Sequence, residues 1–304
     1  MNAAPPPPPH AERTGTIAFQ GENGANSDMA FRDMFPRMET LPCPTFEDAF
    51  AALAAGAADL AMIPIENTVA GRVADIHQLL PNSGLFIVAE YFLPIRFHLM
   101  ALPGVGLGDV RTVHSHIHAL GQCREVIRAH GWRGVVAGDT AGAARELRDA
   151  GERTRATLSP PLAARLYGLD VLMEDVHDAD HNTTRFVVLS REPETPPLAA
   201  APPGSTHVTT FVFRVRNVPA ALYKVMGGFA TNGVNMTKLE SYQIDGTFTA
   251  TLFYADIEGH PDETPVRLAL EEMDFFCAEK RMLGTYPAAE WRLRERAARP
   301  AGEG

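Results

Sequence analysis

The chain has 304 residues, 45% of them hydrophobic and 21% charged, with a formal net charge of −10. That length suits two domains rather than one, the composition is that of a soluble globular protein, and the acidic balance argues against a nucleic-acid surface. Three cysteines, Cys43, Cys123 and Cys277, stand far apart with no CxxC pairing; neither a zinc site nor a disulfide frame is indicated, and a reducing, cytoplasmic setting is expected.

Residues 1–13 carry the proline run Pro5 to Pro9 without a basic start or an apolar core. They read as a disordered, polyproline-like tail and not as a secretory signal. No apolar run approaches the roughly 18 residues of a membrane span, so no membrane partner is expected. Thr16–Phe19 is a short strand running into the polar loop Gln20–Ser27. Asn26 or Ser27 then caps a helix through Met34. The unpaired N–H groups of such a helix start can hold an anion, which makes Ser27 a candidate contact as well as a plain cap.

Thr45 caps a helix over Phe46 to Ala55, closed by Gly56. Asp59–Ile65 is the next strand, and Glu66, Asn67 and Thr68 follow at once. Ligands of open α/β sheets sit beyond the carboxyl ends of strands, so these three are site candidates. Asn67 and Thr68 serve equally well as the start of a helix over Val73 to Leu80. Leu85–Leu93 and Ile95–Leu102 are strands, and the change at Pro94 marks a crossing from a first lobe to a second. A strand ends at Val113, Ser115 caps the next helix, and Gln122 lies one or two turns in. His114, His116 and His118 alternate, but period-two ligands need a strand, whereas Ala119–Ile127 reads as helix. No acid or cysteine completes a zinc set, and no metal is expected. Val135–Ala137 is a strand, Asp139 and Thr140 cap a helix over Ala141 to Leu147, a helix over Leu162 to Tyr167 closes at Gly168, and Val171–Leu172 is a strand.

His181-Asn182-Thr183-Thr184-Arg185-Phe186 then precedes the apolar run Val187–Leu189. Arg185 can fork onto a carboxylate, Thr184 can donate or accept a hydrogen bond, and Phe186 can supply an apolar wall. The competing reading is a strand start whose threonines suit a pleated surface. In a regular strand Thr184 and Phe186 face one side, and Thr183 and Arg185 the other. Thr184 and Arg185 reach one ligand together only at a bent strand end.

The alternation of strands and helices gives an α/β fold with mostly parallel strands in two lobes. Lobe 1 takes about 14–93 with 182–191, and lobe 2 about 94–181. The proline- and alanine-rich stretch 192–205 is a linker. Within 206–287 come a strand His207–Val215, a helix Pro219–Asn232, a hairpin of Val234–Ile244 with Thr247–Ile257 about Asp245-Gly246, a helix Thr264–Phe275 and a strand Cys277–Tyr286. This βαββαβ order is ferredoxin-like. Residues 288–304 read as a charged, frayed tail.

Four separated pieces resemble the prephenate dehydratase family: Ile63-Pro64-Ile65-Glu66-Asn67-Thr68 with Gly71, the run from Val113-His114-Ser115-His116 to Gln122-Cys123, Thr184-Arg185-Phe186, and Leu239-Glu240-Ser241. The resemblance covers nearly all of residues 15–287. It implies a two-lobed catalytic domain, like a periplasmic binding protein without export, followed by an ACT regulatory domain that binds phenylalanine. By the same resemblance Thr184 is the essential threonine, Glu66 and Asn67 the acid–amide pair, and Ser115 and Gln122 the serine and glutamine. Arg185 and Phe186 complete the threonine motif, and Ser27 stands where the glycine loop has a serine. Thr68 and Thr183 are adjoining substrate contacts. The effector pocket would use Ala221, Leu222, Asn235, Met236, Thr237, Glu240 and Ser241. It is altered here, with Ala220-Ala221-Leu222 for Gly-Ala-Leu and Glu240-Ser241-Tyr242-Gln243 for Glu-Ser-Arg-Pro. The implied reaction is the redox-neutral, cofactor-independent conversion of prephenate to phenylpyruvate in a homodimer or homotetramer. Arogenate dehydratase and a non-catalytic cytosolic sensor are the rival readings.

Overall fold

The computed structural model describes residues 10–201, 205–243 and 250–298. The proline run, the Asp245-Gly246 turn and the end of the expected tail lie outside the described residues. The first sheet is built from β1 (Gly15–Gln20), β2 (Met38–Cys43), β3 (Leu60–Asn67), β4 (Gly71–Arg72), β5 (Phe86–Pro94) and β11 (Thr183–Ser190), in the order β2-β1-β3-β11-β5 with β4 on β3. β1 runs parallel to both β2 and β3. Leu60, Ala61, Met62, Ile63 and Ile65 are all buried, as an unbroken apolar run in a parallel strand requires. Pro64 has no N–H to give, and it lies beyond the two residues at which β1 and β3 pair.

Helices α1 (Asn26–Met34), α2 (Phe46–Ala54) and α3 (Ala74–Leu79) accompany this sheet. Thr45 caps α2 as expected, its oxygen accepting from the Asp48 N–H at 3.1 Å. The cap of α1 is a correction. Ala25 takes the cap position and offers no side-chain hydrogen bond. The carboxylate of Asp28 instead reaches back to the Gly24 N–H at 2.7 Å, placing an anion at the positive helix end.

The second sheet has the order β10-β6-β9-β7-β8, from β6 (His98–Ala101), β7 (Thr112–Ser115), β8 (Arg133–Val136), β9 (Arg155–Ser159) and β10 (Asp170–Met173). It is mixed and not mostly parallel: β7 runs parallel to β8 and β9, while β6 is antiparallel to β9 and β10. Its helices are α4 (Ile117–Gln122), α5 (Arg124–Ala129), α6 (Thr140–Ala150) and α7 (Pro161–Tyr167). The single helix expected across Ala119–Ile127 is two, broken at Cys123. Asp139 caps α6 by accepting from the Gly142 N–H at 2.7 Å.

The C-terminal part contains β12 (His207–Val215), α8 (Ala221–Thr231), β13 (Met236–Gln243), β14 (Ala250–Glu258), α9 (Thr264–Asp274) and β15 (Cys277–Pro287). Its antiparallel sheet has the order β13-β14-β12-β15, which is ferredoxin-like. Phe211, Phe213, Phe229 and Phe253 lead its core with Val266 and Met273. The stretch expected to fray forms α10 (Glu290–Ala298) instead. Glu90, fully buried, accepts from Arg292 at 2.6 and 2.9 Å and from the Ala289 N–H at 3.1 Å.

The chain divides into two compact units, Met1–Ile76 with Tyr91–Phe186, and His77–Glu90 with Val187–Gly304. The second unit is therefore made of two separated pieces of sequence. His77 hydrogen-bonds the Tyr242 hydroxyl and stacks on its ring at 5.3 Å. Arg281 donates to the carbonyl oxygen of Pro81 at 2.5 Å. A Cβ added at Gly284 would meet the Ile87 carbonyl oxygen at 2.0 Å. Gly284→Ala is expected to cost about 1–3 kcal/mol, the range for overpacking a tight contact, read as a lowered midpoint in urea.

His207 and His260 are both about 1% exposed, with rings 4.9 Å apart. His260 Nδ1 accepts from the Asp262 N–H at 3.1 Å while its Nε2 faces the Pro196 carbonyl at 3.0 Å, which makes Nε2 the donor of that pair. Burial pushes the pKa of His207 down, the nearby His260 adds to this, and Glu263 opposes it. The folded state therefore binds fewer protons than the unfolded chain once pH falls below about 6.5. Stability contributed by the neutral ring is complete above that pH and is lost as pH falls toward the depressed folded value. Thermal melts should show a falling midpoint on acidification, and His207→Gln should flatten the dependence.

Candidate active site

β3 ends in Glu66 and Asn67, and a tight return to β4 sets Glu66 opposite Arg72 and Asn67 opposite Gly71. Gly71 adopts φ +80°, a region that favours glycine. Asn67 Oδ1 accepts from the N–H groups of Val69 at 2.9 Å and Ala70 at 2.7 Å. Only an oxygen can accept both, so the amide orientation is settled and Nδ2 must point the other way. From there it donates to Thr184 Oγ1 at 2.9 Å and to Asn182 Oδ1 at 2.7 Å. Asn182 Nδ2 in turn donates to Gln122 Oε1 at 2.7 Å.

The result is a one-way chain of hydrogen bonds from the β3–β4 turn through Asn67 and Asn182 to Gln122, with Thr184 as a branch. Its direction has two consequences. Thr184 spends its oxygen as an acceptor, and among the described residues its own proton finds no acceptor. Gln122 spends its oxygen on Asn182, which leaves its NH2 group as a donor.

Gln122 lines an open cavity of about 450 Å³ together with Ala70, Ile117, His118, Leu120 and Arg124. Arg124 makes no ion pair among the described residues; Asp178 accepts from the N–H groups of Arg124 at 2.8 Å and Glu125 at 3.2 Å, capping α5. His116 sits close by, its Nδ1 accepting from the His118 N–H at 3.4 Å. Burial, then the neighbouring His118, lowers its pKa against the pull of Asp139. The Cys123 thiol is pushed up to about 12, by burial first and Asp178 second, which removes it as a nucleophile near neutral pH.

Of the residues expected at the site, Thr184, Asn67 and Gln122 are joined in this chain. Thr68 clamps the strand beside it: its hydroxyl donates to the His181 carbonyl at 2.6 Å and accepts from the Thr183 N–H at 2.9 Å. Glu66 and Arg185 pair with each other at 2.9 Å, while Thr184 pairs with Asn67. Arg185 is 2% exposed and held by an acid, so the expectation that it grips substrate is corrected to a structural position. The strand alternation that raised the difficulty decides it. Phe186 is buried and no cleft wall. Ser27 lies buried inside the first turn of α1 and does not cap it. Ser115 is the last residue of β7, fully buried, donating to the Leu158 carbonyl at 2.6 Å; His116 is the cap of α4.

In the second unit Ala221 is buried at the start of α8 and Leu222 packs against the core. Asn235 precedes β13, not lying within it, and donates to Glu258 at 2.9 Å. Met236 begins the strand, Thr237 donates weakly to the Asp256 carbonyl at 3.4 Å, Glu240 pairs with Lys238 at 3.3 Å, and Ser241 is exposed.

Sequence reasoning missed Asn182 and Arg124. Asn182 sat inside the motif stretch, yet an amide just before a strand reads as a turn residue. Arg124 directly follows Cys123, and its lack of an ion-pair partner among the described residues is visible only in the fold.

A two-lobed α/β domain with an amide–hydroxyl chain at its strand ends, continued by a ferredoxin-like unit, is the architecture the comparisons with known proteins address. The chain belongs to the prephenate dehydratase family: residues 17–194, more than half its length, match that family's model. It is 50% identical over 276 residues, 91% of this chain and 97% of the relative, to the bifunctional N-acyl-homoserine lactone acylase/prephenate dehydratase of Komagataeibacter europaeus. It is 35% identical over 89% of its length and 71% of the relative to the arogenate dehydratase/prephenate dehydratase 1 of Arabidopsis thaliana. The crystal structure of prephenate dehydratase in complex with L-Phe from Arthrobacter aurescens superposes with a TM-score of 0.80 at 32% identity, covering 90% of this chain and 92% of that one. Family membership supports a dehydratase, a lyase.

Proposed function

We propose that the protein converts prephenate to phenylpyruvate, with Thr184 placed at the departing hydroxyl. The observation that carries this reading is the bond from Asn67 Nδ2 to Thr184 Oγ1, which leaves the threonine proton for a ligand. Prephenate holds two carboxylates and a ring hydroxyl. Its ring carboxylate leaves as carbon dioxide, the electron pair of that bond completes the aromatic ring, and the hydroxyl departs. One proton is taken up to make water. The driving force lies in the substrate, so the protein supplies orientation and a donor for the departing oxygen. A threonine hydroxyl is a weak acid, and Glu66 is held by Arg185. The proton therefore comes from solvent while Thr184 stabilises the charge that develops. The test is formation of phenylpyruvate from prephenate by the purified protein; no product under any condition of pH would end the reading.

Arogenate, the amino analogue, is the second substrate to assay, since relatives carry both names. The acylase named for the Komagataeibacter relative is a further activity for this chain, assayed by release of homoserine lactone from an N-acyl-homoserine lactone. The ferredoxin-like unit acts as an ACT domain that binds phenylalanine, a reading supported by the L-Phe complex of the Arthrobacter relative. Ala220 and Tyr242 alter the motifs of that pocket, and a prephenate assay with and without phenylalanine measures what they change. We further propose the cytoplasm as its location and a homo-oligomer as its state.

A further inference from the structure

We propose that Asn182 is a positioning residue that turns the Gln122 amide so that its NH2 faces the cleft, where it and Arg124 form the subsite for a carboxylate of the ligand. This rests on the dehydratase reading for the ligand's identity but not for its charge. The physical basis is the direction of the hydrogen-bond chain. Backbone N–H groups at Val69 and Ala70 consume the Asn67 oxygen. That forces Asn67 to donate to Asn182, and Asn182, 3% exposed, to donate to Gln122. An amide in the reverse orientation at any link would set two NH2 groups or two oxygens against each other at about 2.7 Å.

At the end of the chain Gln122 and Arg124 both line the cavity. One offers neutral donors and the other a guanidinium with no ion-pair partner among the described residues. Donors without acceptors suit a carboxylate, and a charge-assisted pair of this kind is stronger than either contact between neutral groups. Of the remaining wall, Ala70, Ile117 and Leu120 are apolar and suit a six-membered carbon ring, with His118 and Gly121 beside them. In a protein of net charge −10 an anion needs such a local arrangement to bind at all.

Asn182→Asp tests the direction of the chain. It is isosteric, but above its pKa the new carboxylate can only accept. Gln122 must then flip to donate to it, and its oxygen faces the ligand. Gln122→Glu tests the end of the chain, since one carboxylate oxygen accepts from Asn182 and the other meets the ligand. Each variant, and wild type, is measured for prephenate turnover at pH 8 and for calorimetric binding of phenylpyruvate from pH 8 down to about 4, within the ordinary carboxyl range. His116, His118, Arg124 and Asp178 surround this place in all three proteins, so the wild-type profile supplies their share.

At pH 8 both variants are expected to show KM and the phenylpyruvate Kd raised about 10- to 100-fold, the range for losing a hydrogen bond to a charged group. As pH falls and the new carboxyl protonates, it regains a donor and the defect should shrink, which a merely structural lesion would not do. Arg124→Met should raise both constants at pH 8, with no rescue of the Kd at lower pH. Variants that bind like wild type at pH 8, a defect of Asn182→Asp that persists unchanged at about pH 4, or no phenylpyruvate binding by wild type would overturn the proposal. Rescue of binding in a protein that turns over no prephenate would overturn the dehydratase reading and leave the carboxylate subsite standing.

Discussion

Thr184→Val should lower kcat for prephenate by about 100- to 1,000-fold, the loss seen when one donor to a developing oxyanion is removed. Valine keeps the shape and removes only the hydroxyl. Asn67 Nδ2 loses one acceptor, but the Thr183 carbonyl stands 3.3 Å away and can take up part of that bond. The fold should therefore survive with a modest drop in melting temperature, while KM changes little, because the missing interaction is made mostly in the transition state. Thr184→Ser keeps the proton and should retain most activity. Steady-state kinetics on the two variants, with melting curves beside them, is the measurement. Full activity in the valine variant would remove Thr184 from the chemistry.

Arg185→Met should do the opposite, harming stability far more than binding. Arg185 is 2% exposed and its partner Glu66 is about one-third exposed. Breaking a buried pair by removing one member costs about 3–5 kcal/mol, because the other charge is left uncompensated. Glu66 retains some contact with water, which places the expected loss near 3 kcal/mol, the lower end of that range. Urea unfolding should show it, while KM for prephenate, measured where the variant is still folded, should move by less than a factor of about three. A KM raised a hundredfold at unchanged stability would return Arg185 to the substrate.

Much of this architecture was readable from residue order, and the failures share a cause. Thr45 capping α2, Asp139 capping α6, and the glycine closing α7 are local signals, settled within four residues, and the structure agrees with them. The alternating pattern of β12 to β15 is likewise local. What went unread depends on distant partners. α10 looks like a frayed tail because its anchor, Glu90, lies 202 residues away from Arg292. Thr184 and Arg185 are adjacent in sequence and both polar. Only the neighbouring strand tells them apart, offering an amide to one and a carboxylate to the other. Asn182 acquires its direction from two backbone N–H groups more than a hundred positions earlier. Ser115 and His116 differ by one place, and the strand, once formed, carries Ser115 inward and hands the cap to its neighbour.

The His77–Glu90 segment bears on how this enzyme can be taken apart. A cut in the proline-rich stretch would look like a clean separation of two halves. It would in fact leave Tyr242 without His77, Arg292 without Glu90, and Gly284 without the backbone it was kept small for. Swapping the C-terminal half for that of a relative would meet the same obstacle unless residues 77–90 travelled with it. Single substitutions in the intact chain are the sounder way to learn what each part contributes.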